Sequence, residues 1–359
     1  MDYRVVELAE VAKGIIDHFD FEGNNYEKFL IFSENTRDPI ILQTLASIAR
    51  ERGVDVTTMW IKEVGVGATE EPSPMLAGAM QKSDATLGVV LYPLLYTKTV
   101  VKSMLDYGVK YLECNAMGST VECLLSPTSR YPLDVLYVIE EKLNKILHEG
   151  TTFTMKDQKG TDFTCEIPDG NFISPPIPPA NMRGAFDMFP FGERCFWSYL
   201  TANGVIYFDG FYKIGHVKSG KPIKCTIEDG WCTKIDGGPE ADMLKSMLEG
   251  YENSFHCAEI AIGCNPHARL NLSGDPTLIE AQRNIGVGHV ALGDTGVFGG
   301  DIIPGIHLDG TILEPTIWID NKKIIDKGWS TILDDIEVIK AAKRHKRPEH
   351  ILTQTREIF

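Results

Sequence analysis

No stretch of this chain is apolar for long enough to cross a bilayer. The longest near-apolar run, residues 87–96, is interrupted by Pro93 and falls far short of the roughly 20 residues a membrane helix needs. The opening residues, Met1-Asp2-Tyr3-Arg4-Val5-Val6-Glu7-Leu8, lack the basic, apolar and small-residue regions of a secretory signal. The eight cysteines (Cys114, Cys123, Cys165, Cys195, Cys225, Cys232, Cys257 and Cys264) are scattered without a Cys-x-x-Cys pair. That argues against a disulfide framework or a cysteine zinc site and leads us to expect reduced thiols in a cytoplasmic protein. Basic residues are the minority, 35 against 50 acidic ones, for a net charge of -15, and the one basic run lies at 340–347. Phosphate binding needs a basic surface, so no nucleic-acid partner is expected. The acidic excess favours solubility, and bound cations are expected to offset part of it.

Several catalytic signatures are also missing. The chain has no His-Glu-x-x-His helix and no Gly-x-Ser-x-Gly elbow. The glycine-rich stretch 293–300 lacks the spacing and the strand–turn–helix setting of a dinucleotide or phosphate loop. We read it as sharp turns beside a site.

What is present is an ordinary soluble composition over 359 residues, 43% apolar and 24% charged, enough for two domains with a sizeable core. Apolar residues at Val5, Leu8, Val11, Ala12, Ile15 and Ile16 give a helical period over 4–19. Strands at 29–32, 54–61, 86–92 and 109–114 then alternate with helices at 38–52, 76–82, 96–107 and 134–148. That alternation predicts an open, mostly parallel α/β sheet over residues 1–150. Beyond 150 come short strands with glycine turns, a proline-rich linker at 175–179, a helix at 239–249 and a C-terminal helix at 333–344. Residues 151–359 are therefore expected to form an α+β domain rich in antiparallel strands, carrying a metal-binding catalytic site.

The chemistry is concentrated in the last third. Glu259, His289, His307 and Asp309 interrupt segments otherwise made of Ile, Val, Leu, Ala and Gly. Such side chains are rarely buried unless paired or bound to metal. His307 and Asp309 are two apart in a predicted strand and so project to one face, where an imidazole and a carboxylate can grip one cation. Each residue has a structural alternative. His289 can be a core histidine bonded to a backbone carbonyl, and Glu259 can be ion-paired with Arg269. Glu193 can be a solvated turn residue, and His267, a possible substrate or metal contact, can be a surface loop residue. Cys257 and Cys264 flank Glu259 but carry no nucleophile pattern.

These residues resemble the thermophilic-type leucyl aminopeptidase family of metallopeptidases, with its ring-cleaving relatives of the 2,5-dihydroxypyridine 5,6-dioxygenase type. The resemblance covers residues 147–327. It runs through Gly160-Thr161-Asp162-Phe163-Thr164, Pro190-Phe191-Gly192-Glu193, Asn203-Gly204-Val205-Ile206, Ile227-Glu228-Asp229-Gly230 and Ala258-Glu259-Ile260. It continues in Gly288-His289-Val290-Ala291-Leu292-Gly293 and Ile306-His307-Leu308-Asp309. For the peptidases it implies two divalent metals held by Glu193, Glu259, His289, His307 and Asp309. A bridging water would be activated there, and either Glu193 or Glu259 would carry its proton to the leaving nitrogen. It also implies a homodimer. Two departures stand out. The peptidases have a tyrosine shortly after the His-x-Ala-Leu-Gly histidine, and residues 294–300 contain none. The chain is also close in length to the dioxygenase type, in which two histidines and an aspartate hold one iron(II). His307 and Asp309 match two of those ligands, but Glu259 stands where the first histidine would, unless His289 or His267 supplies the imidazole.

The carboxylate-rich donor set puts a metal-dependent hydrolase first, using Zn, Mn or Co on an amide or related C–N bond of a small molecule. A non-haem Fe(II) ring-cleaving dioxygenase comes second, and a non-catalytic metal-binding homologue third.

Overall fold

The computed structural model describes residues 4–21, 28–64, 71–169, 174, 182–198, 200–270, 277–298 and 300–356. The chain divides into two compact units, Met1–Arg130 with Ile177–Phe191, and Tyr131–Pro176 with Gly192–Phe359.

In the first unit the apolar period of α1 (Arg4–Asp17) buries Leu8, Val11, Ala12, Ile15 and Ile16 on one side. There follow β1 (Lys28–Glu34), α2 (Pro39–Glu51), β2 (Asp55–Ile61), α3 (Pro74–Met80), β3 (Ala85–Val90), α4 (Lys98–Tyr107), β4 (Lys110–Asn115) and the single turn α5 (Val121–Leu124). Helix starts are capped locally, with the Asp38 carboxylate accepting from the Ile40 N–H and the Thr97 hydroxyl from the Val100 N–H. Every residue of β3 and β4 is buried, as strands covered on both faces require. The chain then contributes α6 (Leu133–Glu149), β5 (Thr152–Lys156) and β6 (Asp162–Glu166) to the second unit, and β7 (Phe186–Phe189) to the first. Strand β7 pairs parallel with β4 and completes a sheet of order β2-β1-β3-β4-β7, parallel throughout. Where the change of pattern placed a boundary near 150, α6 groups with the second unit and β7 with the first. Neither grouping is a local property. Helix α6 buries Val135, Leu136, Ile139, Leu143 and Leu147, and β7 finds its strand partner some seventy residues back.

Two carboxylates are enclosed in this first unit. Glu113 of β4 accepts from the Leu94 and Leu95 N–H groups and from the Tyr111 hydroxyl. Glu34 of β1 accepts from the Val64 and Leu91 N–H groups. Burial pushes Glu113 up to about 8, against the three hydrogen bonds that favour its charge. A carboxyl that ionises near pH 8 when folded and near 4.5 when unfolded supports folding fully below pH 4.5. It loses that contribution as the pH rises to 8. Glu113→Gln should therefore flatten the fall in stability between pH 5 and 8, worth on the order of 4 kcal/mol in the wild type. Urea unfolding at a series of pH values would reveal an unchanged slope if Glu113 is not responsible.

The second unit continues with β8 (Glu193–Phe196), β9 (Asn203–Phe208), β10 (Gly210–Phe211), β11 (Gly215–His216), β12 (Ile223–Glu228), β13 (Trp231–Asp236) and α7 (Pro239–Glu249). Then come β14 (Cys257–Gly263), α8 (Ile279–Gln282), β15 (Gly288–Gly293), β16 (His307–Ile312), β17 (Thr316–Ile319), β18 (Lys322–Asp326), β19 (Trp329–Ser330), α9 (Ile336–Ala342) and α10 (Pro348–Ile351). The strands make two antiparallel sheets, β11-β10-β16-β15-β14-β8 and β13-β12-β9-β6-β5-β17-β18-β19. Their facing sides form the core. Phe196 of β8 meets Phe153 of β5 at 5.7 Å between ring centroids. A side chain on Gly310 of β16 would come within 2.5 Å of Phe208 and Phe211. The expected α/β sheet and antiparallel α+β part are thus both present. The proline-rich run 175–179 lies outside the described residues.

Candidate metal centre

The six-stranded sheet brings together the acidic and imidazole groups that the sequence scatters over more than a hundred residues. Glu259 of β14 lies opposite Ala291 of β15, and Ala291 opposite Asp309 of β16. His289 lies opposite Ala261 and Thr311, His307 opposite Gly293, and Glu193 opposite Gly263. Directly opposed residues share a face, as do residues i and i+2 of one strand. Glu193, Glu259, His289, His307 and Asp309 therefore stand on one face, away from the Phe196–Phe153 core. Ala261, Gly263, Ala291 and Gly293 lie between them on that face, and their small size leaves the larger groups free to converge.

Glu259 is the hub. Its Oε2 lies 3.0 Å from His307 Nε2 and its Oε1 3.5 Å from His289 Nε2. His307 Nε2 is also 3.1 Å from Asp309 Oδ1, and His289 Nδ1 is 3.6 Å from Glu193 Oε2. Two groups of donors result, Glu193–Glu259–His289 and Glu259–His307–Asp309, each with its atoms within 4.8 Å of one another. All five side chains are largely or wholly buried. His307 Nδ1 donates to the Asp294 carbonyl at 2.9 Å, which fixes the ring and aims Nε2 at the carboxylates, as metal-ligating histidines commonly do.

The charges on this face are unbalanced in a way a cation would correct. Burial opposes ionisation of Glu259, but His289 and His307 more than offset it and hold the carboxyl below its usual range. Burial likewise disfavours a charged His307, yet Asp309 and Glu259 raise its pKa well above the ordinary imidazole value. A proton thus does part of the work of a metal ion. Two polar atoms nevertheless make no well-formed hydrogen bond, Asp309 Oδ1, whose close neighbour is His307 Nε2, and His289 Nδ1. Buried acceptors pointing into a cluster of carboxylates are costly unless a cation satisfies them. The donor set therefore fits a divalent ion.

The structure also decides between the alternative readings. Arg269 pairs with Glu280, at 2.7 and 2.8 Å, and not with Glu259. His289 takes its place by facing carboxylates, and Glu193 starts a strand instead of sitting in a solvated turn. His267 is not brought to the cluster. Its Nε2 is bonded to the His350 carbonyl at 2.9 Å, and its ring packs on Tyr131 and His350. All eight cysteines are buried thiols outside any disulfide. Burial pushes Cys257 and Cys264 up, as suits structural thiols. The predicted glycine turn is real, with Gly293 at φ +123° and Asp294 supplying the carbonyl that orients His307.

Sequence reasoning missed Arg283. It follows α8 and is 2% exposed, and its Nη1 donates to the Oε2 of Glu193 in a close ion pair. Its backbone carbonyl accepts from the Cys264 and Asn265 N–H groups at 3.0 and 2.7 Å, so its position is set by the end of β14. A lone arginine in the segment Ala281-Gln282-Arg283-Asn284 carries no motif, and no local signal marks it.

The sequence matches the 2,5-dihydroxypyridine 5,6-dioxygenase (NicX) family over residues 25–331. The chain belongs to that family. The match extends into the N-terminal half, where residue motifs alone had shown only an α/β pattern. No curated protein sequence matches the chain. Among solved structures, the 2,5-dihydroxypyridine dioxygenase from Pseudomonas putida KT2440 superposes with a TM-score of 0.75 at 16% identity. That alignment covers 91% of this chain and 97% of the other. Wild-type AmpT from Thermus thermophilus superposes with a TM-score of 0.63 at 12% identity, covering 91% and 99%. Both likenesses concern the fold. They join the aminopeptidase-like architecture to the dioxygenase relatives, and the family match favours the dioxygenase over the hydrolase that the carboxylate-rich donors first suggested.

Proposed function

We propose that this protein is a metal-dependent dioxygenase that opens a hydroxylated N-heteroaromatic ring, with iron(II) held by Glu259, His307 and Asp309. The observation that carries the reading is the convergence of these three donors on one buried sheet face, with Asp309 Oδ1 lacking any other partner, in a chain of the dioxygenase family. One neutral imidazole nitrogen and two anionic carboxylates make a mixed nitrogen and oxygen donor set suited to a ferrous ion, with one more carboxylate than the two-histidine arrangement. Bound there, iron(II) would supply the binding and activation of dioxygen. The residues of this chain do the rest. The Asp294 carbonyl keeps His307 in the tautomer whose Nε2 faces the centre. His289, with Nε2 3.5 Å from Glu259, steadies the carboxylate from its other side. The small residues Ala261, Ala291 and Gly293 keep that face clear.

A second reading has one specific observation in its favour. Glu259 belongs to both donor groups, and a shared carboxylate is what a two-metal hydrolytic site needs. Against it stand the Arg283 ion pair on Glu193 and the absence of a tyrosine in 294–300.

The two readings part in one experiment. Protein reconstituted anaerobically with iron(II) should take up oxygen when given 2,5-dihydroxypyridine or a related dihydroxylated N-heterocycle, with loss of the ring chromophore. Amine release from aminoacyl amides with zinc, manganese or cobalt, and no oxygen uptake with any such ring, would overturn the proposal in favour of the hydrolase.

A further inference from the structure

Three carboxylates face the centre, those of Glu193, Glu259 and Asp309, and two of the three lie in each donor group. The oxygen of Glu193 that faces His289 Nδ1 at 3.6 Å is Oε2, the same atom that receives the Arg283 guanidinium. A metal bound between that oxygen and His289 would compete with the guanidinium for it. The guanidinium is 2% exposed and cannot swing into water without breaking the buried packing around it. Its backbone is pinned by the Cys264 and Asn265 N–H groups, so the positive charge is delivered to Glu193 by the fold itself.

Charge balance gives this a consequence. One guanidinium and one divalent ion together neutralise three carboxylates with both imidazoles neutral. Adding a second divalent ion beside Arg283 would bury excess positive charge within a few ångströms, where Coulomb repulsion is strong. We infer that Arg283 stands in for the second metal ion, confining Glu193 and His289 to an ion pair and restricting the site to a single divalent cation at Glu259, His307 and Asp309. The inference rests on the proposed centre and adds a determinant of its stoichiometry. On this account the ligand-like residues of the second position are intact, and one arginine keeps a metal out of them.

The test is metal counting on the full-length chain, with Mn2+ as the probe, by calorimetric titration and by elemental analysis after gel filtration. Wild type should bind one Mn2+ per chain. Arg283→Met, which keeps the length of the side chain and removes its charge, should bind two, with an electron paramagnetic resonance spectrum showing exchange coupling between them. Glu193→Gln in the wild-type background should still bind one, because Glu193 is not a ligand there, but more weakly, because the Arg283 charge is left unpaired beside the ion. The double variant should return to one. Two ions bound by wild type, or one by a folded Arg283→Met protein, would overturn the inference and leave the proposed centre standing. A folded Glu193→Gln protein that binds no Mn2+ at saturating concentration would overturn it as well, even if Arg283→Met does not fold. No Mn2+ bound by wild type would remove the centre itself and the inference with it.

Discussion

His307→Ala and Asp309→Ala should each abolish oxygen uptake and weaken metal binding by well over 100-fold. Removing a group that merely orients a ligand typically costs about 10- to 100-fold in metal affinity, and loss of a ligand should exceed that. The reason lies in how few donors the centre has. His307 Nε2 is 3.0 Å from Glu259 and 3.1 Å from Asp309, so it sits between the two carboxylates and separates their charges. Without it, two buried carboxylates face each other directly, and one takes a proton instead of a metal. Without Asp309 the opposite imbalance arises, because the imidazole keeps only Glu259 to hold a cation against. Both residues are on strands whose backbone pairing does not depend on them, so far-UV circular dichroism of the metal-free variants should match wild type. His267→Ala is the control. Its ring is tied to His350, and metal content should stay at the wild-type value. Full metal content and turnover in either His307→Ala or Asp309→Ala would remove the centre from consideration.

Gly293→Ala should be the most damaging small substitution near the site, lowering stability by about 3–5 kcal/mol. Two effects add. Gly293 has φ +123°, a conformation that a residue with a Cβ rarely adopts. The added carbon would also lie 1.9 Å from the Ile306 carbonyl oxygen and 2.8 Å from its carbon, both backbone atoms that cannot rotate aside. Relief requires β15 and the start of β16 to separate where Gly293 pairs with His307, so metal affinity should fall along with stability. Gly53→Ala provides the contrast. It shares a positive φ of +79°, but nothing lies within 4 Å of its added carbon, so its penalty should be limited to about 1 kcal/mol of backbone strain. Urea denaturation of the metal-free proteins separates the two, and equal midpoints for both variants would contradict the steric argument.

The ranking of hydrolase before dioxygenase shows what donor chemistry can and cannot decide. Glu193, Glu259, His289, His307 and Asp309 form the set that the peptidase resemblance assigns to two hydrolytic ions, and their carboxylate-rich chemistry agrees with it. Family membership over residues 25–331 favours the ring-cleaving alternative. The Arg283 ion pair supplies a physical reason, because a cation already occupies Glu193.

Much of the architecture was legible in local pattern. The apolar period of residues 4–19 became α1, and the β-branched run at 86–92 became the buried strand β3. The spacing of His307 and Asp309 placed both on one strand face, because side chains alternate with a period of two whatever the strand pairs with. The cost of burying an unpartnered charge made Glu259 conspicuous among its apolar neighbours. Those forces act over a few residues, and the sequence by itself determined their outcome. The strand order β16-β15-β14-β8, the grouping of α6 and β7, the binding of His267 to His350, and the arrival of Arg283 at Glu193 were decided only by the tertiary structure. Each depends on pairings between segments tens of residues apart, where hydrogen-bond register and packing select among partners that look alike in sequence.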